Sequence, residues 1–265
     1  MVLRFSKTGD DFRADELASA FATATLPIPR VYGMGQLDDR FWCLSQRMPG
    51  VHLDQLDADQ MREVLPSLAA MLRAMREVDS SGTSGFGGWD ADGNGMFATF
   101  ADQLLDVAVD NRGERGGGWS ERLATHTRGQ QVFDAGIWLL GELSQFVPDT
   151  RQLIHQDTIN FNITVDHGRI SGIFDWGCAM WGDALYDIAW FGFWDLWYPQ
   201  WSSLNLPNTL LDLVGAEGDH IAERMRCYLL HIGVMHIRYN ALIENERALN
   251  EVVDATSNLI KVAMR

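Results

Sequence analysis

The stretch Leu153–Gly177 reads LIHQDTINFNITVDHGRISGIFDWG. It places His155, Asp157 and Asn162 in the spacing H-x-D-x4-N, and after twelve intervening residues comes D-W with Asp175. Asn162–Val165 and Arg169–Phe174 alternate in polarity around Asp166-His167-Gly168, which predicts a hairpin. A loop bearing one carboxylate, an amide on the first hairpin strand and a second carboxylate at the end of the return strand bring three oxygen-bearing side chains towards one point. Hard oxygen ligands of this kind suit magnesium, which takes one or two carboxylates and completes its shell with nucleotide phosphates. Phosphoryl transfer combines such a metal with a separate carboxylate that orients the attacking hydroxyl. The alternative is purely structural: Asp157 and Asn162 cap turns, and Asp175 caps the helix after it.

Moving outward, further stretches join this one: Leu26-Pro27-Ile28-Pro29, TSGFG at Thr83–Gly87, DHGRI at Asp166–Ile170, and DWGCAMWGDALYD from Asp175 to Asp187. Together they resemble the aminoglycoside phosphotransferases, which share the protein-kinase-like fold, and within that family the members that act on hygromycin. The resemblance covers nearly the whole chain. It implies that Asp157 is the catalytic aspartate, that Asn162 and Asp175 hold magnesium, and that His155 packs and hydrogen-bonds the loop. Asp183 would brace that loop.

The same resemblance reads VLRF at Val2–Phe5 as the strand carrying a basic residue for nucleotide phosphates, here Arg4. Its acidic partner on the next helix would be Glu16, with Asp15 the rival. FWCLSQRMPG would be the strand and hinge that meet the adenine, the backbones of Gln46 and Met48 supplying hydrogen bonds. Relatives place two strands and a glycine-rich phosphate-covering loop ahead of Val2. The small lobe is therefore expected to be reduced, with an exposed sheet edge through which copies could associate. Neither GTSGFGG nor GERGGGW can replace that loop, because neither is followed by Lys-Ser or Lys-Thr in P-loop spacing.

Propensity and periodicity fill in the rest. Asp11–Thr25 fits a helix that stops before the LPIP prolines, and Arg30–Met34 and Phe41–Gln46 read as strands around an Asp38-Asp39 turn. From Asp57, which forms a capping-box pattern with Gln60, the apolar residues Met61, Val64, Leu65, Leu68, Met71, Leu72 and Met75 fall on one helical face. Pro66 should bend that helix without abolishing it. Ser80–Gly95 reads as a glycine-rich loop, and Gly113–Gly118 as a second mobile segment. Helices are expected at Val132–Val147, Ala184–Tyr198, Asp219–Ile243 and Arg247–Val262.

Composition narrows the partners. With 36 acidic against 21 basic residues in 265, a formal net charge of −15 repels a phosphate backbone and suits a cationic ligand. Three scattered cysteines support neither a disulfide framework nor a paired zinc site, which reads as a reducing, cytoplasmic compartment. Ala184–Trp201 is the most apolar stretch, but Asp187 and Asp195 break it, so no membrane span is expected. Asp90–Gly95 copies half of a calcium loop, yet position twelve is Ala101 and the bidentate glutamate is missing, so a polar turn is expected. Trp190, Trp194, Trp197 and Trp201 follow a helical stripe that serves either as core or as a platform for a sugar or antibiotic. Asp187, Asp195, Trp194 and Glu244 are candidate contacts to a cationic antibiotic.

The expectation is an α+β, kinase-like protein with a small lobe over residues 1–50 and a mostly helical large lobe over 51–265. By resemblance it uses ATP or GTP with magnesium to phosphorylate a hydroxyl of a hygromycin-like aminoglycoside or aminocyclitol. A kinase of another small hydroxyl compound, or a non-catalytic binding remnant, are the alternatives.

Overall fold

The side chain of Asp57 accepts the Asp59 and Gln60 N–H groups, while Gln60 Oε1 accepts the Asp57 N–H, so the predicted capping box opens the first long helix. The computed structural model describes residues 1–111, 116–216 and 218–263. Along the chain lie β1 (Val2–Ser6), α1 (Asp10–Ser19), β2 (Val31–Leu37), β3 (Arg40–Ser45), β4 (Val51–His52), α2 (Ala58–Arg76), β5 (Phe86–Trp89), β6 (Gly95–Phe97) and α3 (Phe100–Leu105). There follow α4 (Trp119–Ala124), α5 (Thr127–Leu143), β7 (Gln152–Ile154), β8 (Ile163–Asp166), β9 (Arg169–Ile173) and β10 (Met180–Gly182). The last four helices are α6 (Leu185–Trp194), α7 (Leu206–Val214), α8 (Ile221–Leu242) and α9 (Glu246–Ala263).

These elements form two compact units, residues 1–98 with 149–216, and residues 99–148 with 217–265. The boundary expected near residue 50 is internal to the first unit. That unit holds three antiparallel sheets, ordered β1-β3-β2, β6-β5-β10-β7 and β4-β8-β9. Its core is organised by α2, whose predicted apolar stripe is buried from Met61 to Met75 against β7, β9 and α7. Each such large side chain withdrawn from water stabilises by roughly 1.5–3 kcal/mol. Pro66 sits inside α2 and the helix runs through it. The second unit is helical, with α5, α8 and α9 packed pairwise. Among the described residues no helix is long and apolar enough to cross a membrane.

The predicted hairpin is β8–β9, joined by His167 and Gly168 at φ 48° and 70°, both left-handed as a tight two-residue turn of this hand requires. Several expectations need correction. α1 ends at Ser19, short of Thr25, because a turn closes first: the Thr23 hydroxyl and N–H bond the N–H and carbonyl of Leu26. The Ser80–Gly95 stretch is not all loop, since it contains β5 and the first residue of β6. Gly95 is what permits that pairing, for a Cβ there would lie 2.4 Å from the Phe86 backbone. The helix expected to Tyr198 stops at Trp194 and continues as 3-10 turns. Of the Gly113–Gly118 segment, residues 113–115 lie outside the described residues. Asp90 is a polar turn: its carboxylate accepts the N–H groups of Asp92 and Asn94.

Candidate active site

The loop between β7 and β8 carries Asp157, and its shape is set by buried polar groups on either side. His155 is fully buried, its Nε2 3.1 Å from the Phe174 carbonyl oxygen and its Nδ1 accepting the Asp157 N–H at 3.2 Å. Burial holds the ring's pKa down at about 4, so the imidazole is neutral and bridges the loop to the end of β9. From α6, the two oxygens of Asp187 accept the N–H groups of His155 and Gln156, each at 2.9 Å.

The Asp157 carboxylate is held by two amides. Asn160 Nδ2 donates to its Oδ1 at 2.7 Å and Asn162 Nδ2 to its Oδ2 at 3.1 Å, while Asn162 also reaches the Asp157 carbonyl at 2.9 Å. Burial pushes the Asp157 pKa up to about 6, the charges of Asp175 and Asp54 adding to it against the two amide bonds. The Phe174 N–H donates to the Asn162 carbonyl at 3.0 Å, which sets Asp175, the next residue, beside Asn162 in a left-handed conformation at φ 67°. Partial burial, then the charges of Asp15 and Asp11, raise the Asp175 pKa, and Arg4 opposes them.

Arg4 on β1 reaches Asp15 on α1 at 2.5 Å and lies 3.8 Å from the Cys43 sulfur. The other Asp15 oxygen accepts the Trp176 N–H at 2.9 Å. Asp15, 6% exposed, is thus the partner of Arg4. Glu16, expected in that role, pairs instead with Arg13 one turn away, because the helix turns its side chain to the outer face while Asp15 points inward.

A cleft of ≈ 270 Å³ opens next to these residues, walled by Val2, Arg4, Ile28, Val31, Met48 and Phe174 with Ser45 and Gln46 on one rim. Gln46 and Met48 both line this cleft. The Gln46 N–H, however, donates to the Arg30 carbonyl at 2.8 Å and prolongs the β2–β3 pairing, so among its backbone groups the carbonyl is the one left for a ligand.

The candidate antibiotic contacts separate. Asp187 is 1% exposed and its carboxylate is committed to the N–H groups of His155 and Gln156, so it does not face a ligand; Asp183, expected to brace that loop, accepts the Leu185 N–H at the start of α6. Trp190 and Trp201 are core, whereas Trp194 is half-buried beside Trp197, with ring centroids 4.9 Å apart. Asp195 has one oxygen, Oδ1, buried with no hydrogen-bond partner among the described residues, and burial raises its pKa. Glu244 belongs to the second unit, exposed and 3.6 Å from Arg122. Asp54, which no pattern in the sequence marks, contributes to the field at Asp157 and accepts the Tyr198 hydroxyl at 2.8 Å. Among the described residues no three His, Cys, Asp or Glu side chains are arranged to hold a metal by themselves.

The chain is similar to known proteins over most of its length. The chain is 29% identical over 250 residues to hygromycin-B 4-O-kinase of Escherichia coli, across 92% of this chain and 69% of that protein. It superposes on a thermostable mutant of aminoglycoside phosphotransferase APH(4)-Ia in its apo form with a TM-score of 0.83 at 26% identity, over 98% of this chain and 86% of the other. A ternary complex of a thermostable APH(4)-Ia mutant with AMP-PNP and hygromycin B gives 0.80 at 26% identity, over 98% and 85%. The family model described as "APH: Phosphotransferase enzyme family" matches residues 1–224, and the chain belongs to that family.

Proposed function

We propose that this chain transfers the γ-phosphoryl group of ATP or GTP to a hydroxyl of a hygromycin-like aminoglycoside or aminocyclitol, in the cytoplasm where the nucleotide is available. The observation that carries this reading is the single carboxylate of Asp157, oriented by Asn160 and Asn162 and set beside Asp175. The acceptor oxygen attacks the γ-phosphorus as its bond to the β–γ bridging oxygen breaks, and the hydroxyl proton passes to Asp157. A pKa of about 6 keeps that carboxylate ionised at neutral pH yet basic enough to take the proton.

The donor set suits magnesium. Asn162 commits its Nδ2 to the loop and offers its amide oxygen, and Asp175 offers a carboxylate whose raised pKa a cation would relieve. When bound, that ion neutralises the phosphate oxygens. Arg4, held by Asp15, supplies positive charge at the cleft, and the purine lies between Ile28, Val31, Met48 and Phe174 with the Gln46 carbonyl as an acceptor. For the antibiotic, the Asp195 carboxylate, one oxygen of which has no hydrogen-bond partner among the described residues, is the candidate ammonium contact, and the net charge of −15 draws in a polycation.

The test is nucleotide-diphosphate release by the purified chain with hygromycin B, with kanamycin and with no acceptor, alongside the mass of the recovered antibiotic. Release that requires hygromycin B, with gain of one phosphoryl group, is expected. Antibiotic binding without turnover would favour a binding module, and turnover on a different acceptor class would move the substrate assignment.

A further inference from the structure

Asn160 and Phe161, between the proposed catalytic aspartate and the proposed metal amide, both adopt left-handed backbone, at φ 61° and 66°. For a bulky aromatic such as Phe161 this conformation is an outlier that persists only where surrounding structure enforces it. The enforcement comes from two side chains remote in sequence. Asp54 Oδ1 accepts the Phe161 N–H at 3.2 Å, and Asp54 Oδ2 accepts the Tyr198 hydroxyl at 2.8 Å. Tyr198 thus reaches the residue 160–161 turn through Asp54, whose other oxygen holds the Phe161 N–H. Tyr198 is itself fixed, stacked on Trp201 with centroids 4.5 Å apart and planes 8° from parallel, while the buried Trp201 Nε1 donates to the Leu56 carbonyl at 2.9 Å. Two bonds thus tie the segment after α6 to the turn at residues 53–56.

We infer that Asp54 and Tyr198 are a pair of positioning residues that hold residues 160–161 in their left-handed turn, so that the Asn160 amide stays aimed at Asp157 Oδ1. The pair acts through the backbone of residues 160–161, by way of the Phe161 N–H. The inference rests on the reading of Asp157 as the group that orients the acceptor hydroxyl, and it extends the site to a part of the chain that the sequence pattern does not reach.

The experiment is a kinetic cycle on the full chain with hygromycin B as acceptor, comparing Tyr198→Phe, Asn160→Ala and the double variant, with Asp157→Ala as reference. Tyr198→Phe keeps the ring and its stack on Trp201, so the melting temperature should hold. Its kcat should fall about tenfold with nucleotide KM unchanged, because the cleft is untouched. In the Asn160→Ala background the same change should produce no further loss, since the intermediary is gone. Additive losses, or a wild-type kcat for Tyr198→Phe, would overturn the inference. Turnover surviving in Asp157→Ala would instead overturn the catalytic reading. Hydrogen exchange gives a readout that needs no activity: the Phe161 amide should exchange at least tenfold faster in Tyr198→Phe, and unchanged protection there would also refute the pair.

Discussion

Asp187 holds the loop between β7 and β8 by its backbone: its carboxylate oxygens accept the N–H of His155 and that of the following residue, each at 2.9 Å, from a position 1% exposed to solvent. Removing the acceptor leaves two N–H groups unsatisfied in a buried place, at about 1–3 kcal/mol each. Asp187→Ala should therefore lower the denaturation midpoint strongly, and Asp187→Asn, which retains one acceptor oxygen, should fall between. Urea titration of the three proteins checks the order. An alanine variant as stable as the parent would mean that the loop does not depend on this residue.

Asp157→Ala should cut turnover by about 10²–10⁴-fold, the usual range for loss of a positioned general base. The two hydrogen bonds of its carboxylate both come from amides of the same loop, so the far-ultraviolet spectrum and antibiotic binding should survive. Steady-state kinetics with a binding measurement on the same preparation separates loss of chemistry from loss of fold.

Asp15 and Glu16 give opposite forecasts. Asp15→Ala takes away the partner of Arg4 and the acceptor of the buried Trp176 N–H, so nucleotide KM should rise and stability fall by about 1–3 kcal/mol. Glu16→Gln removes only an exposed pair with Arg13, and should stay within about 0.5 kcal/mol with KM unmoved. A reversed pattern would restore Glu16 to the nucleotide site.

Gly50 stands at φ 102°, where a Cβ would lie 2.1 Å from the Val165 carbonyl oxygen. Gly50→Ala must strain this backbone or push β4 from β8, costing on the order of 1–3 kcal/mol. Because Gly50 also lines the cleft, nucleotide affinity should fall with stability. Thermal melts and nucleotide titration would show whether the two losses travel together.

Acid should loosen the second unit before it loosens the first. Burial holds His231 at about 3 and His236 at about 4, both below the ordinary 6.5, with the neighbouring charges adding to the His231 shift. With folded pKa values depressed, the unfolded chain takes up protons first, so stability is fully present above pH 6.5 and declines as pH falls towards 4. Each ring contributes about 1.4 kcal/mol per pH unit in that window. In the first unit the single depressed His155 is offset by Asp157 and Asp187, raised to about 6 and about 7, which bind protons earlier in the folded state. Protection factors of α8 amides, corrected for intrinsic exchange, should drop between pH 6.5 and 5 more than those of α2.

The parts of this fold legible in the sequence are those whose signal is local. The Asp57–Gln60 box, the α2 stripe and the His167-Gly168 turn each follow from residues a few positions apart, and so does the gathering of Asp157 and Asn162. Three-residue strands such as β7 and β10 are too short to show a period, and β5–β6 was hidden by the very glycines that let its strands approach. Partner choice was the other gap. Whether Arg4 meets Asp15 or Glu16 depends on which way α1 faces, and adjacent residues on a helix differ by about 100° of rotation. Asp54 and Tyr198 lie 144 positions apart and could be joined only in three dimensions.

Asp15 divides its carboxylate between Arg4 on the opening strand and the amide of the residue that follows Asp175. A perturbation at one of those places is thereby mechanically audible at the other. A tag or peptide fused ahead of Val2 would tug on β1, and this side chain would carry the disturbance to the residue after Asp175. Activity lost after such a fusion should accordingly be attributed to the attachment before it is attributed to the enzyme.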